Sequence, residues 1–586
     1  MFNSTKIISA SFLFLLLASC GGGGGSGSSG SPATSINLTG TAATGLAISG
    51  GAVTANCVAG SVTPTTTDSL GAYTLTLTNA TLPCIVKVTT ANTSENLYSI
   101  VESGQTTANV TPLTHLLSDI LFGADSATVF ANFGSTYSAM ITTTNIASAQ
   151  TKVQTALTAI GIDITAHDVL KSSFTPATAH TTGSDLDQKL DQLQATLQSA
   201  QTSLSTLSTS LNSGGANNIA SVTTTAIGPA AKQLGTCPYV RGGNYWTFLY
   251  DGSNQTEWTV DLNAMTAKVY GTNTTYPVAQ LTSGGSNVPC AFTITLPASV
   301  ITAYFSKSSI FGWKQLITSG AGTGGYYFGL GVPVQTISNL GNKHVGTYPT
   351  LGYVSYANGA NKYQSTLPMQ MKIDSSGNVT SASCSLANGV PSCASLSAPG
   401  ATSMTCGSAS QGMITCTDGT TTVKVFALIT QEQPTVFMLM SGVISSLPFN
   451  ALVMGTKANT LSLPPIGYSQ STSSAWYLGR PAQNNPNTSW SFVSGDSTSG
   501  AGTTVVNINT SNSSYTTTDG ITFYLNTPIA GFYWVPTVSN TTYPSGTSNM
   551  VTLVTNAGIQ MRGLGKATAT TFDNFNGVEF FIRKPM

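Results

Sequence analysis

TVKVFALIT at 422–430 and TVFMLM at 435–440, joined by Gln431-Glu432-Gln433-Pro434, decide the architecture. Each run is short, rich in Val, Phe, Ile and Leu, and ended by polar turn residues. That pattern reads as the two arms of an antiparallel hairpin. Working outward, turn signals recur at Asp251-Gly252, Asp374-Ser375-Ser376-Gly377, Asp418-Gly419 and Asp519-Gly520, with no helical stripe between them. Residues 236–586 are therefore expected to form antiparallel β-rich barrel or sandwich modules. Leu463-Pro464-Pro465 divides them into one domain at 236–460 and a second at 461–586. Trp246-Thr247-Phe248 and Trp490-Ser491-Phe492 open comparable strands in the two and hint at a duplicated unit.

The chain has 586 residues, of which 41% are hydrophobic, enough for a sizeable core. Only 7% are charged, 20 Lys+Arg against 20 Asp+Glu, where an ordinary soluble domain carries roughly 25%. With no basic face to neutralise phosphates, a nucleic-acid partner is excluded. Ser, Thr, Asn and Gln take the outward positions that charge would normally occupy.

Two further units precede the β-rich region. Residues 36–110 read as short strands, cleanest in Tyr73-Thr74-Leu75-Thr76-Leu77-Thr78, which alternates apolar with Thr. Residues 111–213 read as helices. Thr111-Pro112 opens the first, a second runs over 127–139, and a third starts at Asn145. Ser184 and Asp187 form a capping box for the longest. Leu186, Leu190, Leu193, Leu197, Ala200, Leu204, Leu207 and Leu211 give that helix a heptad seam about 40 Å long. The seam suits either a coiled-coil oligomer or packing on the chain's own helices. Its Gln, Ser and Thr flanks specify no partner, which favours the second. Residues 214–235 read as a linker.

At the N-terminus, Lys6 precedes an apolar run from Ile7 to Leu17, too short to span a bilayer and suited to a secretion signal. Its ending, Leu17-Ala18-Ser19-Cys20, resembles the lipobox of bacterial outer-membrane lipoproteins. The resemblance implies removal of 1–19 and attachment of acyl chains such as palmitate to Cys20. Gly21, in place of the aspartate linked with inner-membrane retention, implies the outer membrane, at its surface or its periplasmic face. Residues 21–35, opening GGGGGSGSSGSP, then form a flexible tether. Over 36–110, Gly51-Ala52-Val53 and Thr67-Asp68-Ser69-Leu70-Gly71-Ala72-Tyr73 resemble the carboxypeptidase regulatory-like domain. That family implies a transthyretin-like β-sandwich, a non-catalytic stalk or adaptor, with Gly71 in a turn and Tyr73 anchoring the next strand.

Apart from Cys20, eight cysteines remain, an even number that reads as disulfides in an exported chain. Proximity pairs Cys57 with Cys84, Cys237 with Cys290, Cys384 with Cys393 and Cys406 with Cys416. Spacings of nine, thirteen and ten among the last four lack a zinc knuckle, so no metal ligand set is expected.

Neither H-E-x-x-H nor G-x-S-x-G occurs. His115, His167, His180 and His344 are isolated from one another, and His344 alone lies in the β-rich region. Gly320-Ala321-Gly322-Thr323-Gly324-Gly325 precedes a strand-like stretch, so it reads as a turn and not a phosphate cradle. Glu257 and Asp261 lie about 13 Å apart along a strand, beyond the ~5–9.5 Å of a glycosidase pair. Asp573-Asn574-Phe575-Asn576-Gly577 lacks the spacing of a calcium loop. No catalytic residue and no cofactor is expected. Trp246, Trp258, Trp313, Trp476, Trp490 and Trp534 are the ligand-binding candidates, suited to stacking on sugars or to a protein contact. The expectation is a lipid-anchored, non-catalytic binding or adhesion module for a glycan, protein or small nutrient. An exported hydrolase and a purely structural envelope component are the alternatives.

Overall fold

The computed structural model describes residues 34–583 apart from internal stretches, the longer being 178–182, 214–218, 224–236, 471–474, 480–502, 537–546 and 567–576. Cys20, the tether up to residue 33 and Trp490 lie outside the described residues, as does nearly all of 573–577, and Ser35, expected to close the tether, opens the first strand. No described helix is long and apolar enough to cross a membrane.

The N-terminal unit is organised by one long strand, Ala72–Thr89. Ser35–Thr41 pairs with its first half, Asn96–Val101 with its second, and Ala52–Thr63 runs along its other side. Register shifts between Cys57 and Ser61 bend this hairpin. Leu38, Leu75 and Leu77 from one half then meet Val53, Val86 and Val88 from the other in one core. The sandwich expected over 36–110 is thus a single five-stranded sheet bent over its own core. Asp68 Oδ1 accepts from the Leu70 and Ala72 amides, and Gly71 sits at φ +77° in the turn they form. The Tyr73 hydroxyl donates to the Ala108 carbonyl at 2.5 Å.

Six helices follow among the described residues: α1 (Pro112–Phe122), α2 (Ser126–Ala131), α3 (Ser135–Ser138), α4 (Thr143–Ala159), α5 (Asp185–Ser199) and α6 (Leu204–Ser213). Thr111 and Thr114 cap α1 reciprocally, with Pro112 at its first position. The single run expected over 127–139 is broken between α2 and α3. The long seam is broken too. Ser203 accepts from the Thr206 amide at 3.1 Å and starts a new helix, so the leucines fold back as two shorter faces. Leu186, Leu190 and Leu193 of α5 and Leu207 and Leu211 of α6 enter one core with α1 and α4. The coiled-coil reading loses its continuous seam.

Nor does the Ser184–Asp187 box form. Ser184 Oγ accepts from the Thr175 amide and Asp187 Oδ2 from the Ala177 amide. Asp187 is fully buried, and its Oδ1 has no hydrogen-bond partner. Burial, and then the charge of Asp191, push its carboxyl up to about 8. Unfolded, the same group titrates near ~3.9, so between about 4 and 8 only the folded state holds the proton. Stability from this group therefore falls as pH rises through that window. Asp187→Asn is expected to raise the melting temperature by a few degrees at pH 8 and leave it unchanged at pH 4. A pH-independent difference between the two proteins would refute this assignment.

The β-rich region is a series of strand cycles. Eight strands from Gly243–Leu249 to Tyr326–Pro333 follow one another as a meander, and the last pairs with the first to close a barrel. Eight more, from Gly346–Asn358 to Leu447–Thr456, close a second barrel, with Val390–Cys393 added beside Val379–Ala387. The single domain expected over 236–460 is therefore two barrels. The third sheet runs as a meander from Thr503–Asn509 to Gly577–Arg583. Its two edges are Ser469–Gln470 and Ala475–Gly479, near neighbours in sequence. Five peptide links reach at most about 19 Å, so this sheet must curl toward closure as well.

Alternation explains why 422–440 is apolar almost throughout. Val423, Val425, Ala427, Val436 and Met438 belong to a core of second-barrel residues joined by Leu340 from its lead-in, the interior of that barrel. The intervening Phe426, Leu428, Phe437 and Leu439 belong to another cluster, shared with the first barrel and the third sheet. Both faces are covered, as in strands buried on both sides. Phe248 of the first barrel lies 4.8 Å from Phe426, and Phe328 lies 5.9 Å from Phe580 of the third sheet. Gly563 of the third sheet abuts Thr366 of the second barrel, where a Cβ would come within 2.4 Å of the threonine methyl. The outer walls of the two barrels and one face of the third sheet share this core.

Four disulfides are formed, in the pairs that proximity suggests. Three join directly opposed residues of antiparallel strands, with Cα–Cα distances of 3.8–4.0 Å. The fourth, Cys237–Cys290, fastens the lead-in of the first barrel across 53 residues. Lys307 to Asp191 of α5 (3.1 Å) joins that barrel to the helical unit, and Lys343 to Glu95 joins the second to the N-terminal sheet.

Candidate functional site

The registers of the first barrel sort its residues by face. Tyr245 lies opposite Trp258, which lies opposite Val269, and Ala267 lies opposite Tyr276. On the other side, Gly331 faces Phe311 and Gly329 faces Trp313. All of these point inward. At one end Tyr245, Phe292, Phe305 and Phe311 are almost completely buried, and their ring centroids are 4.6–6.0 Å apart. They plug the barrel. Gly331 makes room, since a Cβ there would sit 2.1 Å from the Phe311 ring.

The opposite end is open. Tyr327 is inward and 49% exposed, and Leu249, Gln315 and Ile317 are inward and only partly buried, while Trp258, opposite Tyr245, and Tyr276 lie deeper in the barrel and are also only partly buried. Trp258 and Tyr276 lie 6.0 Å apart at 48°. Gln315 Nε2 donates to Ser299 Oγ at 2.7 Å, which holds an amide at the mouth. The Gly320–Gly325 turn, with Gly320, Gly322 and Gly324 at positive φ, forms part of the rim. It leads into strand Tyr326–Pro333, as a turn should.

Charge is excluded from this interior. The four charged residues on the barrel's strands, Glu257, Asp261, Lys268 and Lys314, all take outward positions. Glu257 is buried beside Trp246 on the wall facing the second barrel, and burial raises its carboxyl. It shares no site with Asp261 at the strand end.

Three tryptophan candidates are packing residues. Trp246 is 8% exposed, donates to the Gln411 carbonyl at 3.0 Å and lies against Phe426, fixing the first barrel to the second. Trp313 fills the first barrel over Gly329 and donates to the Leu330 carbonyl. Trp534 is buried in the shared cluster. The physical reason is the double coverage of these strands, which leaves large rings on either face enclosed. Trp476 lies on strand Ala475–Gly479. Of the candidates with a described environment, Trp258 alone is not buried.

Other groups are less suited to function. His344 is buried, and that burial, with Lys343 and Lys457, lowers its imidazole to about 4. No carboxylate orients it among the described residues, and its Nδ1 has no hydrogen-bond partner. A Ser-His-Asp triad is not assembled there. His180 lies outside the described residues. A cavity of about 360 Å³ lies between α4 and residues 164–169, lined by Ala147, Gln150, Val153, Ile164 and His167. His167 Nε2 lies 2.7 Å from Asp185 Oδ2 near its rim.

The molecule is a multidomain, mainly β chain of fused meander barrels, and its four disulfides mark an envelope or extracellular protein. No protein-family model matches the chain, and no curated protein does. Among solved structures, a protein of unknown function from the DUF3598 family of Nostoc punctiforme is 11% identical and aligns with 37% of this chain and 94% of its own, at a TM-score of 0.15. A candidate outer membrane protein of Bacteroides fragilis is 12% identical over 37% of this chain and 89% of its own, at 0.14. Similarity at that level carries no argument about fold or function.

Proposed function

We propose that this chain is a lipid-anchored envelope protein, attached through Cys20, whose first barrel binds a neutral saccharide without catalysis. The observation that carries the reading is a cup plugged at one end and open at the other, with aromatic and amide groups inside and every strand charge outside. Tilted rings beside an amide and hydroxyls suit the apolar faces and hydroxyl edges of a sugar ring. The uncharged interior offers nothing to an anion. The anchor and tether would hold the barrels away from the bilayer, where a polymer can reach them.

The test is an array of neutral and acidic oligosaccharides probed with the mature chain, followed by calorimetry on the hits. Neutral sugars are expected to bind, and Trp258→Ala to weaken them at least tenfold, or about 1.4 kcal/mol. Tyr327→Ala, at an exposed position, should weaken them too without disturbing the fold. Binding of acidic sugars alone, or none, would overturn the reading. The cavity beside α4 supports a second reading, a small ligand in the helical unit. Loss of binding in Ala147→Trp with retention in Trp258→Ala would favour it. In intact cells, labelled palmitate should enter the wild type and not Cys20→Ser.

A further inference from the structure

Pro112 and the Thr111 cap set the phase of α1, which places His115 and Asp119 one turn apart on the same face. The chain then reverses through Gly123, at φ +60°, and Asp125 caps α2 by accepting from the Ala127 amide at 3.1 Å. These two local events bring a third side chain back onto the first two. One donor atom from each of His115, Asp119 and Asp125 lies within 4.8 Å of the other two.

The details favour shared coordination over an ordinary hydrogen bond. His115 Nε2 is 3.6 Å from Asp119 Oδ1, too long for a hydrogen bond and in the range of two ligands on one ion. The ring's Nδ1 is buried and also has no hydrogen-bond partner. This largely covered imidazole therefore makes no hydrogen bond at all among the described residues. Asp119 is 2% exposed and fixed by the Ser126 amide at 2.8 Å and hydroxyl at 2.5 Å. Both bonds go to Oδ1, the oxygen facing His115, and hold the carboxylate in place. Asp125 is exposed, which gives an ion access and room for water. Burial lowers the His115 imidazole, while Asp119, Asp125 and Glu95 act on it with negative charge that favours a cation beside it.

We propose that His115, Asp119 and Asp125 bind one divalent transition-metal cation. Three protein ligands of mixed nitrogen and oxygen type leave a position for water, and the imidazole selects zinc-like ions over calcium. The site would clamp α1 to α2, a role independent of the sugar cup.

The test uses the full mature chain, stripped with chelator and titrated with zinc chloride by calorimetry, with bound metal measured after dialysis. One zinc per chain is expected. Asp125→Asn, which keeps an oxygen for the helix cap, should bind at least tenfold more weakly. His115→Gln should abolish binding, and His167→Ala should leave it intact. Cobalt substitution should give visible absorption bands in the wild type that are absent from His115→Gln. Circular dichroism checks that each variant is folded. No stoichiometric zinc in the wild type, or unchanged affinity in folded Asp125→Asn, would overturn the proposal.

Discussion

Phe248→Ala is expected to lower the unfolding free energy by about 3–5 kcal/mol, the range for removing a large buried aromatic. Phe248 is completely buried, yet it points out of its own barrel. Its ring meets Phe426 at 4.8 Å and Phe437 at 6.4 Å on the wall of the second barrel. The cavity left behind would be shared by two rigid sheets, neither of which can collapse into it alone. Urea unfolding followed by tryptophan fluorescence is an apt measurement, because Trp246 sits at the same junction. Val506→Ala, at an exposed position, serves as the neutral control. A loss below 1 kcal/mol would mean that the barrels are neighbours and not one fused core.

The second large effect concerns the Cys237–Cys290 bridge. A cross-link spanning 53 residues removes chain entropy from the unfolded state equivalent to about 4 kcal/mol. Both cysteines are almost fully buried in the shared cluster, so Cys237→Ala with Cys290→Ala also trims that packing. The double variant is expected to unfold its first barrel in a separate, earlier calorimetric transition. The hairpin bridge Cys384–Cys393 closes only nine residues and should cost clearly less when removed the same way. Equal losses for the two would refute the loop-length argument.

What could be read in advance was whatever is written locally. The 422–440 hairpin, the start of α1 at Pro112 and the turn at Gly71 each depend on a few adjacent residues. The disulfide pairs were accessible because three of the four are hairpin neighbours. Barrel closure was not, since it pairs 243–249 with 326–333 through hydrogen bonds that leave no mark on residue type. The break at Ser203 was hidden because a serine inside a leucine seam looks like any other exposed position. The packing roles of Trp246, Trp313 and Trp534 are hidden for a related reason. Strand alternation gives two faces, and only the assembled barrels show that both are covered. The plug did leave a signal: Phe311-Gly312-Trp313 faces Gly329-Leu330-Gly331, large against small, once the strands are known to pair. The His115–Asp119 spacing was visible as well, but Asp125 joins it only through the reversal at Gly123.

The order in which the strand cycles close has a consequence for secretion. The first two meanders end on the strand that pairs with their beginning, and the third ends at Gly577–Arg583, about a hundred residues after its partner Ala475–Gly479. A chain threaded through a translocation pore with its N-terminus leading would complete the first barrel early. The outer wall of that barrel, with Phe248 and Phe328, would then face water until the next two cycles arrived. During that interval the half-delivered chain exposes apolar wall and is open to aggregation.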